Sequence, residues 1–312
     1  MLKPYEQLEQ KFAEHLETEP EQVVACSSGT AALHLAVECL HDLIDGPVIV
    51  PDYTMISCAR SVSLAGKECK FVGCRDDLLM DVTGMTSSDS IMLVHIYGRR
   101  VREVQCRVLI EDMAELHGEK PYPSTNAACW SFYKNKIIHG EEGGAIWFAE
   151  KDRANYARQL RSVGFTHAHD YTHLPRGCNY RLADSLSEKI LHSLKNLQNS
   201  IRYRRYVEHQ FDIILGSLWD MPPRTSPWVY DMRIPGIARK KQKEIVQALN
   251  DQGIAARMGF MPMTLQAEYY SPVTTSQETL RAYREVMYLQ LNPYLCPLDI
   301  ARLASQTIEK CL

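Results

Sequence analysis

Short runs that are apolar on both faces recur along the first third of the chain: Pro47-Val48-Ile49-Val50-Pro51, Lys70-Phe71-Val72, Ile91-Met92-Leu93-Val94-His95 and Val108-Leu109-Ile110-Glu111. A strand with two apolar faces must be covered on both, so these runs predict a parallel sheet buried between helices, an α/β fold. Between Ala31 and Leu43 the period changes: Leu33, Ala36, Val37 and Leu40 form one stripe, and Ser28-Gly29-Thr30 stands where a helix start is expected. A longer helical pattern runs from Ala183 to about Leu215 through Leu186, Ile190, Leu191, Leu194 and Leu197. After the proline-rich stretch from Met221 to Pro227, the pattern predicts a strand over Trp228 to Ile234 and a helix over Lys240 to Gln252. A strand near Ile254 to Met258 and a terminal helix over Leu298 to Lys310 follow. We therefore expect a large domain over 1–216, including the long helix, and a smaller α/β domain over 217–312, with the boundary near Ser217.

Composition narrows the function classes. The 312 residues are 45% hydrophobic, enough for a substantial core, and 35 Lys and Arg against 38 Asp and Glu leave a net charge of -3. That balance offers no basic field for nucleic acid, and the local run Arg202-Tyr203-Arg204-Arg205 reads as a helix face. The ten cysteines show neither CxxC pairs nor Cys/His metal spacing, so no metal site is expected. Reduced thiols and a first segment without the apolar core of a signal peptide point to the cytoplasm. No apolar run approaches the roughly 20 residues that span a bilayer, so a membrane anchor is not expected.

Three segments carry candidate chemistry. In Ser131-Phe132-Tyr133-Lys134-Asn135-Lys136-Ile137-Ile138-His139-Gly140-Glu141-Glu142-Gly143-Gly144, lysines lie between an aromatic run and a glycine turn. A lysine at the mouth of a strand can form a Schiff base, the tether of pyridoxal phosphate. Ser27-Ser28-Gly29-Thr30-Ala31-Ala32 offers hydroxyls and orphan N–H groups at a helix start, which suits a phosphate as well as a plain cap. Neither a Walker loop nor a GxGxxG turn is present. Glu111-Asp112 ends a strand, where open α/β sheets build sites; neighbours on a strand point opposite ways, and periodicity leaves open which one faces the site. His95 and His117 stand near strand ends, as pocket-lining or structural histidines.

Taken in order, CSSGTAALHLA, VIVPDYTM, LVHIYG, IEDMAELHG, SFYKNKIIHGEEGG and GCNYRLAD resemble the DegT/StrS family of sugar aminotransferases, in the look of the branch that contains GDP-perosamine synthase. The likeness spans roughly residues 5 to 215 and continues more loosely to the end. It implies an aspartate aminotransferase-like fold (pyridoxal phosphate fold type I), with a large mostly parallel mixed sheet and a smaller C-terminal α/β domain. It further implies pyridoxal 5'-phosphate on Lys136, selected over Lys134 because the family's glycine pair begins seven positions later, at Gly143. Asp112 would meet the pyridine nitrogen. Ser28, Gly29, Thr30 and Ser131 would hold the phosphate, and Glu115 would lie near the 3-oxygen. Asn179 would reach the phosphate of the neighbouring subunit, making a homodimer with shared active sites. His95, Tyr171 and His173 are the substrate candidates.

The departures concern the pocket. Met55 stands where most relatives stack an aromatic ring, so the cofactor would lie between Met55 and Ala114. The stretch before Ser131 lacks the family's glycine-aspartate turn, and the chain starts almost directly at the helix before the phosphate loop. The activity implied is amino transfer from an amino acid, by analogy glutamate, to a keto-sugar carried on a nucleotide. Lys136, where the family's dehydratases have histidine, favours transamination. Two alternatives stand beside it: the same chemistry on a modified nucleoside or other carbonyl compound, and a pyridoxal phosphate-binding regulatory or accessory subunit without turnover.

Overall fold

The computed structural model describes residues 2–167, 171–216, 221–291 and 296–312. The chain opens on α1 (Pro4–Leu16), β1 (Val23–Cys26), α2 (Gly29–Cys39), β2 (Val48–Pro51), α3 (Ile56–Leu64), β3 (Cys69–Val72), β4 (Ser90–Val94) and β5 (Val108–Asp112). It continues through β6 (Ala127–Ser131), β7 (Gly144–Phe148), α4 (Lys151–Arg161), α5 (Asp184–Lys195) and α6 (Leu197–Leu215). The last segment holds β8 (Val229–Arg233), α7 (Arg239–Asp251), β9 (Ala256–Met258), α8 (Gln277–Glu285), β10 (Val286–Gln290) and α9 (Pro297–Cys311). Each of the apolar runs in the first third holds a strand, and every pairing among β2, β3, β4, β5 and β6 is parallel.

Seven strands form one sheet in the order β1-β7-β6-β5-β4-β2-β3, and β7 lies antiparallel to both its neighbours. Alternation along β6 shows how it is covered: Ala127 and Cys129 join the core built by α2, α3 and α4, while Ala128 and Trp130 join the core beneath α1 and α5. On that second side Phe12 of α1 meets Trp130 edge-on at 5.0 Å and Phe132 at 5.5 Å. Such aromatic pairs add roughly 1 kcal/mol each beyond the area they bury. The expected mostly parallel mixed sheet is therefore present.

A second, antiparallel sheet of three strands has the order β8-β10-β9. Its core takes Val207, Phe211 and Leu215 from α6, Ile245 and Leu249 from α7, and Ala301, Ala304 and Ile308 from α9. The expected boundary residue Ser217 lies outside the described residues. The long helical pattern is two helices sharing Asn196, whose φ of -98° and ψ of 5° end α5 before α6 begins. Leu186, Ile190, Leu191, Leu194 and Leu197 pack with the core beneath α1, whereas Val207, Phe211 and Leu215 of α6 pack against the second sheet. Among the described residues no helix is long and apolar enough to cross a membrane.

Candidate active site

The carboxyl ends of the parallel strands open on one cavity of about 410 Å³, the position at which open α/β sheets bind ligands. At one end α2 begins. Ser28 is extended, its side chain accepts the Ala31 N–H at 3.1 Å and its carbonyl accepts the Ala32 N–H at 3.0 Å. Gly29 and Thr30 open the helix, so their N–H groups have no partner within it. A Cβ on Gly29 would lie 2.7 Å from the Ser131 Cβ, so this approach of α2 to β6 requires glycine. Glycine, hydroxyls and a helix start thus make a place that would fit a phosphate group such as that of pyridoxal phosphate.

The acid pair separates as its alternation demands. Glu111 turns away from the cavity, accepting from Thr125 and the Tyr122 N–H and meeting His95 Nε2 at 2.7 Å. Burial would raise its carboxyl, but His95 and these donors outweigh that and hold it below the usual range. Asp112, 6% exposed, lines the cavity; its Oδ1 accepts the Ala114 N–H at 2.9 Å and its Oδ2 accepts the Cys58 thiol at 3.1 Å. Met55, 52% exposed at the start of α3, and Ala114 are both in the lining.

Lys136 is carried by the loop between β6 and β7, folded back by bonds from Phe132 N–H to Gly143 O, Lys134 N–H to Glu141 O and Gly140 N–H to Phe132 O. Its Nζ lies 3.6 Å from Glu115 Oε1 and 3.9 Å from the centre of the Trp228 ring. Lys134 is exposed and lies over its neighbour Tyr133, outside the lining. Glu115 also accepts the Tyr97 N–H at 2.7 Å. Burial raises its carboxyl to about 7 against the lowering influence of Lys136.

The cavity therefore joins Ser28, Gly29, Thr30, Met55, Asp112, Ala114, Glu115, Ser131 and Lys136. His95 borders it too, but it is fully buried: Nε2 faces Glu111 and Nδ1 accepts the Val101 N–H at 3.1 Å, so neither ring nitrogen is left for a substrate. His117 is buried outside the lining, where its Nδ1 accepts the Ile138 N–H at 2.9 Å and braces the lysine loop; burial holds its ring far below the usual histidine range. Asn179, Tyr171 and His173 are all exposed and stand outside this chain's cavity. The opposite wall was invisible in the sequence. Trp228, Phe260 and Tyr288 come from three parts of the C-terminal segment, and Trp228 fastens to the lysine loop by donating Nε1–H to Asn135 O at 2.9 Å. Trp228 opens a predicted strand, and no local pattern marks it as different from any other strand aromatic.

Known proteins resemble this chain along most of its length. The family model described as the DegT/DnrJ/EryC1/StrS aminotransferase family matches residues 3–307. The chain is 28% identical over 290 residues to GDP-perosamine synthase of Caulobacter vibrioides, covering 84% of this chain and 78% of that protein. It is 26% identical over 342 residues to dTDP-4-dehydro-2,3,6-trideoxy-D-glucose 4-aminotransferase of Saccharopolyspora spinosa, covering 96% and 86%. Among solved structures it is similar to a putative sugar aminotransferase of Streptococcus pneumoniae in its pyridoxal phosphate form. The TM-score is 0.86 at 18% identity, covering 100% of this chain and 93% of that one.

Proposed function

This chain belongs to the DegT/DnrJ/EryC1/StrS aminotransferase family and is a pyridoxal phosphate-dependent aminotransferase; from that premise we propose that it aminates a keto-sugar carried on a nucleotide. The observation that carries the reading is one cavity holding an inward-facing Lys136 beside Glu115, the Asp112 carboxylate and the helix start at Gly29 and Thr30. Both named relatives act on nucleotide sugars by their names, which supports this acceptor class.

The bound cofactor supplies an electron sink that accepts an amino group from a donor and passes it to an acceptor. The chain's residues do the rest. Gly29, Thr30, Ser28 and Ser131 would hold the phosphate, Asp112 would keep a proton at the ring nitrogen, and Met55 and Ala114 would flank the ring. Glu115 would stand near the 3-oxygen. Lys136 would tether the cofactor; its amine, once freed by the amine of the incoming donor, would take the donor's α-proton, glutamate being the donor in our reading, and would later return a proton to the former carbonyl carbon of the sugar. Asn179, exposed on its own chain, serves the phosphate site of a second copy, and Tyr171 and His173 approach the substrate there. The ten cysteines are all unpaired, which suits a cytoplasmic enzyme.

The first half-reaction is tested by mixing the cofactor-loaded protein with glutamate and measuring 2-oxoglutarate. One equivalent per site is expected, with a matching loss of the visible band; no product from any amino acid overturns the aminotransfer reading for a binding protein. Borohydride reduction followed by peptide mass spectrometry places the cofactor on Lys136 in the wild type and in Lys134→Ala, and nowhere in Lys136→Ala. Panels of keto-sugar nucleotides and modified nucleosides then identify the acceptor.

A further inference from the structure

We propose that Cys58 is a positioning residue: its thiol pins one oxygen of Asp112 so that the carboxylate presents its free lone pairs to the cofactor's ring nitrogen. The proposal rests on the reading of Asp112 as the partner of that nitrogen. An ionised carboxylate has about four lone-pair sites, and two of those on Asp112 are taken inside the protein. Oδ1 accepts the Ala114 N–H at 2.9 Å and Oδ2 accepts the Cys58 S–H at 3.1 Å. With both oxygens tethered, the plane of the carboxylate is fixed before any cofactor arrives. A rotation that would carry it off the ring nitrogen breaks one of the two bonds.

The thiol is suited to this duty. Cys58 is fully buried, and its burial, reinforced by the charge of Asp112, pushes it well above the usual thiol range, so the proton stays on sulfur. With that single hydrogen committed to Asp112, the sulfur accepts from the Thr54 hydroxyl 3.5 Å away. Cys58 is also in the first turn of α3, where its N–H bonds to Met55 O at 3.1 Å. One helical turn thus carries both the Met55 wall of the slot and the donor that orients Asp112, and the positive end of that helix favours the carboxylate. On the next strand Cys129 pairs in register with Asp112 and is buried, so it adds bulk without a competing charge.

The test uses the cofactor-free protein titrated with pyridoxal phosphate, reading the dissociation constant and the visible absorption spectrum at fixed pH. Cys58→Ala removes the donor, and we expect affinity to fall about tenfold, the worth of one hydrogen bond to a charged group, with a changed band ratio. Cys58→Ser keeps a donor of similar size and is expected to restore both within about twofold. The proposal is overturned if Cys58→Ala binds and absorbs like the wild type, or if the serine variant is impaired as much as the alanine variant. A lowered thermal midpoint with unchanged spectrum and affinity also overturns it, since it marks a packing role. Asp112→Asn is run beside them: if it too changes nothing, the reading of Asp112 fails along with the proposal. A responsive Asp112→Asn beside a silent Cys58→Ala sinks the proposal alone.

Discussion

At the scale of single residues, the neighbours Glu111 and Asp112 show how one strand assigns two carboxyls to different work. Asp112 lines the cavity, whereas Glu111 is spent on His95, Tyr122 and Thr125. Strand alternation says that the two part company, and only the packing of β5 says which goes where. Glu115 carries a measurable consequence. Its carboxyl is raised from 4.5 to about 7, chiefly by burial, so the neutral form is favoured in the folded protein. The stability this contributes is complete below 4.5 and is lost as the pH rises through about 7. Thermal unfolding of the cofactor-free protein should show a midpoint that falls between pH 5 and pH 8, and Glu115→Gln should flatten that fall. An equally steep fall in the variant would assign the titration to another group.

At the scale of elements, the strand and helix ends matter more than their lengths. The turn from Ser28 into α2 and the loop from β6 to β7 press together so closely that a Cβ on Gly144 would collide with the Ser28 carbonyl. This explains the glycine at the start of β7, a strand that the apolar pattern does not mark. Between the two sheets lies a buried charge cluster. Arg99, following β4, donates to Asp231 of β8 at 2.6 Å, and Arg224 donates to Asp231 at 2.8 Å and to Glu208 of α6 at 2.9 Å. Burial would raise the Asp231 carboxyl, but Arg224 and Arg99 hold it below its ordinary 3.8, so its contribution stands at neutral pH and is lost on acidification. Asp231→Asn leaves two buried guanidiniums short of a partner and should cost about 3–5 kcal/mol in urea unfolding at pH 7. The gap between variant and wild type should narrow in acid as the wild type loses its charge. A loss below about 1 kcal/mol would mean that water reaches the cluster.

At the scale of the whole molecule, the cavity has walls from both sheets but takes nothing from Asn179, Tyr171 or His173 of the same chain. The roles proposed for them require a dimer, and complementation tests it. Lys136→Ala and Asn179→Ala proteins, each nearly inactive alone, should on mixing and exchange recover about a quarter of the wild-type sites, because each hybrid rebuilds one intact site. No recovery, with hybrids demonstrated by mass, would place Asn179 in its own chain's chemistry. By itself the sequence determined the parallel strands, the helix start at Ser28 and the order of the cofactor motifs, because each rests on neighbours a few positions apart. Residue by residue its likeness to the family also proposed a lysine, an acid and a phosphate turn. The tertiary structure alone decided that Trp228, Phe260 and Tyr288 close the cavity, that His95 is consumed by Glu111, and that Cys58 reaches Asp112. Those contacts join positions from 16 to well over 100 residues apart, and no local period records which distant side chains the packing of two sheets will bring together.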